Sequence, residues 1–338
     1  MRRPKPPPKT RPEPRESSLP SQKRTIDLRQ AIGLFAAMTA TRPAPETRFH
    51  PVAGTALAVH HWPSCGSGAP LVFAHATGFH GRVWDAIIER FPDHPAYAID
   101  LRGHGQTDGG PVEDWRVLAR DVAEFLEQAH LTGAVGIGHS MGAHTLLQVA
   151  ANDSRVSGPG RFARLVLFDP VILAPEFYAP GEPLYTADNP HPAIRRKRDF
   201  ASPEAMIERF KDRDPYNLFD PRVFEDYCRY GLVPAPSGAG SDGGMELACA
   251  PEDEASVYAS SRSNPGILEA AKHVDIPVLV VRALYTTLND FKSSPTWPEL
   301  ANILPQGKDL HRPDMTHFHP FQDPADAARI IAGFMGEV

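Results

Sequence analysis

Gly138-His139-Ser140-Met141-Gly142 stands between an apolar run, Ala134 to Ile137, and a stretch with helical character that begins at Met141. In that setting G-x-S-x-G places a serine on a sharp strand-to-helix turn, where flanking glycines remove Cβ clashes and the hydroxyl stands above a sheet. Without the strand and the helix the same five residues would read as a Gly-rich turn. The helix N-terminus adds free amides and a positive dipole end, so the Met141 N–H is expected to face a developing oxyanion. A serine hydroxyl attacks only when a base takes its proton and a third group orients that base. His317, within Asp314-Met315-Thr316-His317-Phe318, follows the last strand-like run and precedes the final helical one, and is the expected base. His319 competes for the role. The pair His317-x-His319 also raises a metal, but no matching His or carboxylate cluster accompanies it, so no metal is expected.

The acid has two possible sources. After a serine of this kind the partners follow as acid, then His. The run Leu165-Val166-Leu167-Phe168-Asp169-Pro170 puts Asp169 at the C-terminal tip of a strand, where active sites of open α/β sheets gather. One strand later, Val280 to Thr287 carries no carboxylate, and Asp290 is the first to follow. Asp169 is preferred and Asp290 is the alternative; their plain readings are an Asp-Pro turn and a solvated loop residue. A second oxyanion donor is expected from Ala74-His75-Ala76-Thr77-Gly78-Phe79: the Thr77 N–H, with Gly78 beside it. His75 reads as a packed loop histidine. Asp100-Leu101-Arg102-Gly103-His104-Gly105 reads as a structural turn, because it precedes the nucleophile and makes a tight strand-to-loop connection.

Positioning these residues requires a sheet. Runs at Arg48 to Val52 and Ala56 to Trp62 flank Gly54 and predict a hairpin. Apolar strands follow at Leu71 to His75, Ala96 to Asp100, Ala134 to His139, Leu165 to Asp169 and Val278 to Arg282, with a weaker one at Asp309 to Arg312. Helical stretches fall between them: Arg82 to Phe91, Trp115 to His130, Met141 to Ala151, and Asp323 to Met335. Strands apolar throughout and separated by helices predict an α/β fold with a doubly wound, mostly parallel sheet covered on both faces. The interval 171–262 shows no comparable strand. It holds helical stretches (Ala193 to Phe200, Pro203 to Asp212, Pro221 to Gly231) and a Ser/Gly run at Ser237 to Gly244, too long for a plain connection, and predicts a helical cap. The expected organisation is therefore a tail over 1–46, a core over 47–170 and 263–338, and the cap over 171–262.

Composition narrows the function classes. With 338 residues, 41% hydrophobic and 22% charged, the chain has ample material for a large buried core. No apolar run approaches the ~20 residues that cross a bilayer, so no membrane span is expected. Residues 1–48 hold eleven Lys and Arg against four Asp and Glu, a surplus of seven, while the remainder carries a deficit of thirteen. No basic stripe interleaved with aromatics runs through the body, so a small-molecule substrate is expected rather than nucleic acid. Cys65, Cys228 and Cys249 lie far apart and suggest neither a thiolate metal site nor a disulfide framework. The 36 prolines are about twice the ~5% norm. Met1 to Lys23, rich in Pro, Arg and Lys, is expected to be disordered. It has no secretory h-region, and Glu13, Glu16 and Asp27 oppose a mitochondrial signal; Met38 is an alternative start. Cytoplasm is the default compartment, and the oligomeric state stays open.

Together, His75-Ala76-Thr77-Gly78-Phe79 with Trp84, Asp100 to Gly105, the Ser140 motif and the late His317-Phe318 resemble the α/β-hydrolase fold superfamily over about residues 47–338. The resemblance implies a Ser-acid-His triad, a cap between the sixth and seventh sheet elements, and no cofactor. Two positions depart from it. The family's usual His-Gly is His75-Ala76 here, and its usual late acid falls nearest Thr286, which cannot serve. Some branches, haloalkane dehalogenases among them, place the acid after strand six, and Asp169 is similar to that position. Those enzymes and the epoxide hydrolases use aspartate where this chain has Ser140, so ester, thioester or related acyl chemistry is implied. The interval 171–262 holds 11 of the 29 aromatic residues, which favours an apolar acyl or aryl group. Arg195-Arg196-Lys197-Arg198 reads as a solvated helix face, with an anion grip as the alternative. The expected function is hydrolysis of a small to medium carboxylic ester. C–C bond cleavage, acyl transfer, and ligand binding without catalysis are the alternatives.

Overall fold

The computed structural model describes residues 42–153, 160–178, 185–186, 188–235, 244–287 and 290–336. The basic stretch expected to be disordered and Met38 lie outside them, as does nearly all of the Ser237 to Gly244 run. Eleven strands are described: β1 (Glu46–Val52), β2 (Thr55–Trp62), β3 (Leu71–Ala74), β4 (Ala96–Ile99), β5 (Ala134–His139), β6 (Phe162–Phe168), β7 (Asp199–Phe200), β8 (Leu232–Pro234), β9 (Met245–Leu247), β10 (Val278–Ala283) and β11 (Gly307–Arg312). The α-helices are α1 (Asp85–Ile88), α2 (Arg116–Gln128), α3 (Met141–Asp153), α4 (Pro203–Phe210), α5 (Pro221–Tyr230), α6 (Pro251–Ala259), α7 (Ile267–Ala271), α8 (Leu300–Ile303), α9 (His319–Gln322) and α10 (Pro324–Met335). Among these helices none is long and apolar enough to cross a membrane.

Eight strands form one sheet in the order β1-β2-β4-β3-β5-β6-β10-β11. The β1/β2 and β2/β4 pairs are antiparallel, and every later pair is parallel. Its inner strands β3, β5 and β10 are apolar on both faces because helices cover both, whereas the edge strands β1 and β11 are largely exposed. Val72 and Ala74 of β3 point into one core with Trp115, Leu118, Val122 and Phe125. Leu71 and Phe73 point into the other with Trp84, Ile87, Phe321 and Ile331. The buried positions of α2, Leu118, Val122, Phe125 and Leu126, recur at helical spacing, and each such side chain contributes roughly 1.5–3 kcal/mol by leaving water.

Between β6 and β10 the expected cap region is not purely helical. β7, β9 and β8 form a small antiparallel sheet, which corrects the expectation of a cap that is helical throughout. Its strands are only two or three residues long, too short for a visible alternation, and each buries one apolar residue: Phe200, Leu232 and Leu247. The helix expected over Ala193 to Phe200 is a 3-10 turn, Pro192–Arg195, that gives way to β7. Helix α5 follows its local signals: Asp220 caps the amides of Arg222 and Val223, Pro221 takes the first turn, and Gly231 follows the end. Its face Val223, Phe224, Tyr227 and Cys228 packs onto the core beside Phe79 and Phe321.

Candidate active site

The register of β5, β6 and β10 brings the chemistry together. His139 pairs with Phe168, and Phe168 with Val281, so the residues that follow β5 and β6 emerge level with each other beside the end of β10. Backbone bonds lock this arrangement. The Ser140 N–H donates to the Phe168 carbonyl at 2.9 Å, the Asp169 N–H to Val281 at 2.7 Å, and the Val171 N–H to Ser140 at 3.2 Å.

Ser140 leaves β5 with φ +56°, a left-handed conformation that costs a residue with a Cβ roughly 1–2 kcal/mol. The turn is tight enough to require its glycines. A Cβ at Gly138 would stand 2.5 Å from Ala143 Cα, and one at Gly142 would stand 2.2 Å from the Ala74 carbonyl oxygen. Helix α3 therefore lies directly against the end of β3, with eleven of its thirteen residues buried.

Around Ser140 the side chains form a continuous chain of hydrogen bonds. Ser140 Oγ lies 3.1 Å from His317 Nε2, and His317 Nδ1 lies 3.1 Å from Asp169 Oδ2. Asp169 is buried and, like Ser140, left-handed, with φ +45°. Its Oδ1 accepts from the Ala283 N–H at 3.1 Å and from the hydroxyls of Ser294 at 2.5 Å and Thr296 at 3.4 Å. The Ala283 amide and the Ser294 hydroxyl thus compensate the oxygen that does not face His317, while the Thr296 hydroxyl gives its shorter bond, 2.8 Å, to the Pro170 carbonyl. Asp290 serves its own turn instead, accepting from the Thr286 hydroxyl at 2.8 Å and the Lys292 N–H at 2.9 Å.

The loop that carries His317 is held in two places. The His317 N–H donates to the Lys292 carbonyl at 2.8 Å, and His139 Nε2 donates to the His317 carbonyl at 2.8 Å. Burial, with His317 adjacent, pushes His139 well below the usual imidazole range and keeps it neutral. His319 turns away to Asp326 Oδ2 at 2.9 Å. Among the described residues no cluster of three or more His, Cys, Asp or Glu is placed to hold a metal ion.

Met141 and Thr77, the two expected oxyanion donors, touch through their side chains, with Thr77 Oγ1 3.6 Å from Met141 Sδ. Among the described residues neither backbone N–H has a protein acceptor, and both residues are buried. His75 fixes the start of that loop: Nδ1 donates to Ala76 O at 2.7 Å and Nε2 accepts from the Leu101 N–H at 2.9 Å. Asp100 ties the next loop, accepting from the amides of Gly81 and Gln106 and from His60. Arg102 is likewise spent on a buried pair with Asp121 at 2.7 Å. These bonds belong to loop architecture, in line with the plain readings of both motifs.

Sequence reasoning missed Ser294, Thr296 and His139 as supports, and it misread Arg196. Arg196 alone of the run 195–198 turns inward, onto Glu254 and the tyrosine hydroxyls. A 3-10 turn followed by a strand does not present four consecutive residues on one solvated face, which is why the helix-face reading fails for it. The signal available was Glu254, but it lies 58 residues away.

Residues 71–330 match the model of the alpha/beta hydrolase family, and the chain belongs to that family. It is 34% identical over 137 residues to a non-heme chloroperoxidase of Streptomyces lividans, covering 39% of this chain and 48% of the relative. It is 32% identical over 120 residues to a pimeloyl-[acyl-carrier protein] methyl ester esterase of Vibrio campbellii, covering 35% and 42%. The chain thus matches less than half the length of each of these relatives. Among solved structures, E-2-(acetamidomethylene)succinate hydrolase superposes with a TM-score of 0.65 over 86% of this chain and 99% of that one, at 19% identity.

Proposed function

We propose that the protein is a serine hydrolase that cleaves a small to medium, apolar carboxylic ester through an acyl-enzyme. The observation that carries this reading is the chain Ser140 Oγ, His317 Nε2, His317 Nδ1, Asp169 Oδ2, with 3.1 Å at both contacts. In the proposed mechanism Ser140 Oγ attacks the ester carbonyl while His317 takes its proton. Asp169 orients the ring and stabilises the imidazolium. The Met141 and Thr77 amides receive the oxyanion, aided by the N-terminus of α3. Collapse of the tetrahedral adduct returns the proton to the leaving alcohol. Water, deprotonated by His317, then attacks the acyl carbonyl; the bond to Ser140 Oγ breaks, His317 returns the proton to Oγ, and the acid leaves.

The ester's acyl part is read from an aromatic wall. Phe318 packs on His317 at 5.5 Å, Phe219 on Phe318 at 5.5 Å, and Phe79 on Phe219 at 6.0 Å. Rings packed in series from His317 support an apolar acyl chain or ring as the group the site takes. The ligand-binding alternative is motivated by the missing carboxylate near Thr286, and Asp169, 3.1 Å from His317, supports the hydrolase reading over it. C–C cleavage and acyl transfer use the same triad and remain alternatives to be separated by product analysis with a competing alcohol.

The test is a series of p-nitrophenyl esters of increasing acyl length, assayed with the wild type and with Ser140→Ala. The reading predicts turnover with a length optimum that vanishes in the variant. Equal rates in the two proteins would remove Ser140 from the chemistry.

A further inference from the structure

One buried charged cluster takes no part in the triad, and it lies on the loop that follows β3. Arg196, with its side chain 19% exposed, pairs with Glu254 of α6, whose side chain is 7% exposed. Its other terminal nitrogen donates to the hydroxyls of Tyr227 at 2.7 Å and Tyr216 at 3.4 Å. Burial alone would lower the guanidinium's pKa, but the phenols and Glu254 more than offset it and hold the group charged.

The pair rests on the residue after Thr77. Gly78 has φ +78°, and a Cβ there would stand 2.7 Å from Glu254 Oε1 and 3.3 Å from Arg196 Nη1. The next two residues also bear on the same part of the chain. The Phe79 ring lies 5.0 Å from the Tyr227 ring, and His80 Nε2 donates to the Tyr227 carbonyl at 3.1 Å. Three consecutive residues after Thr77 are therefore gripped by Arg196, Glu254 and Tyr227. The cavity that Gly78, Phe79 and His80 line together with Arg196 and Tyr227 is about 10 Å³, the room of roughly one water molecule. Neither that space nor a neutralised ion pair suits an anionic substrate group.

We infer that the Arg196–Glu254 pair, braced by Tyr227, positions the oxyanion loop. By packing on left-handed Gly78 it fixes the backbone path at Thr77 and so aims the Thr77 N–H. The inference rests on the oxyanion role proposed for that amide. Preorganised donors act through their fixed orientation, so a loosened loop weakens transition-state binding and leaves ground-state binding in place.

The experiment measures kcat and KM on p-nitrophenyl butyrate, and inhibition by an aliphatic trifluoromethyl ketone, whose tetrahedral adduct puts an oxyanion in the same place. Arg196→Met is expected to lower kcat at least ~10-fold, part of the loss seen when an oxyanion donor is removed outright, with KM within about 2-fold. The ketone should weaken in parallel, and Arg196→Lys should recover part of both losses. A rise in KM at unchanged kcat would show that the pair contacts substrate and would overturn the inference, as would unchanged values of both. If Arg196→Met does not fold, Tyr227→Phe, which removes one hydroxyl, must show the same kcat-weighted pattern, and its failure to do so overturns the inference equally. Ser140→Ala separates this proposal from its parent. Turnover in Ser140→Ala equal to wild type would sink the triad reading, whereas an inactive Ser140→Ala beside an unaltered Arg196→Met would sink only the positioning role.

Discussion

Asp169 reaches His317 from a left-handed backbone position, φ +45°, with Oδ2 3.1 Å from Nδ1 and its other oxygen held by Ala283, Ser294 and Thr296. The carboxylate is thus fixed from behind and aimed forwards, as an orienting acid requires. Asp169→Asn is expected to lower kcat by roughly 10³–10⁴-fold, since the amide oxygen can keep the Ala283 and Ser294 donors but the amide favours the wrong imidazole tautomer. Asp290→Asn should stay within about 2-fold of wild type, because its bonds serve its own turn. Steady-state kinetics on one ester decide between them, and the reverse pattern would move the acid to Asp290.

Gly142 sits where helix α3 meets the end of β3. Its Ala variant would place a methyl 2.2 Å from the Ala74 carbonyl oxygen, a backbone atom that cannot swing aside. The helix must shift, at a cost of about 1–3 kcal/mol as for other overpacked sites, and Ser140 must shift with it. Thermal unfolding and ester turnover of Gly142→Ala should both fall. Wild-type values for both would refute the close approach.

His139 Nε2 supplies the bond that holds the His317 carbonyl, and burial keeps the ring neutral. His139→Phe keeps the volume and removes the donor to a part-buried carbonyl, so stability in urea unfolding should fall by about 1 kcal/mol. Turnover should fall with it, because the base loop loses an anchor. Unchanged unfolding would show that the bond contributes nothing.

Acid should weaken the fold in a defined window. Burial, with His104 beside it, pulls His75 down to about 3, and burial pulls His80, His104 and His144 down to about 4. In the unfolded chain these rings return to about 6.5. Between those values the unfolded state binds more protons than the folded one. Stability present above pH 6.5 is therefore lost as pH falls, by up to ~1.4 kcal/mol per pH unit for each ring, until the folded-state values are reached. The melting temperature should drop steeply between pH 6.5 and 4. A flat profile across that range would contradict the neutral buried histidines.

Legibility in the sequence followed the range of the interactions. The Ser140 turn was readable because strand, glycines and helix lie within twenty residues, and β5 was expected over the same residues that form it. Asp169 was readable from its place at a strand tip, but its donors Ser294 and Thr296 sit 125 and 127 residues away in a loop without pattern. The strands β7, β8 and β9 escaped notice because two or three residues cannot show a period. Arg196 was misread because charge density says nothing of a partner 58 residues distant. Helix Arg82 to Phe91 was expected as one piece, yet a 3-10 turn over Gly81–Trp84 precedes α1, where the Asp100 carboxylate accepts from the Gly81 amide.

The most direct test of the account is covalent. Incubation with an alkyl fluorophosphonate, proteolysis and peptide mass spectrometry should find one phosphonate on the peptide that contains Ser140. The adduct should be absent in Ser140→Ala and form far more slowly in His317→Ala, since the hydroxyl attacks only when His317 takes its proton. Labelling at another residue, or equal labelling of Ser140 with and without His317, would contradict the Ser140–His317–Asp169 assignment.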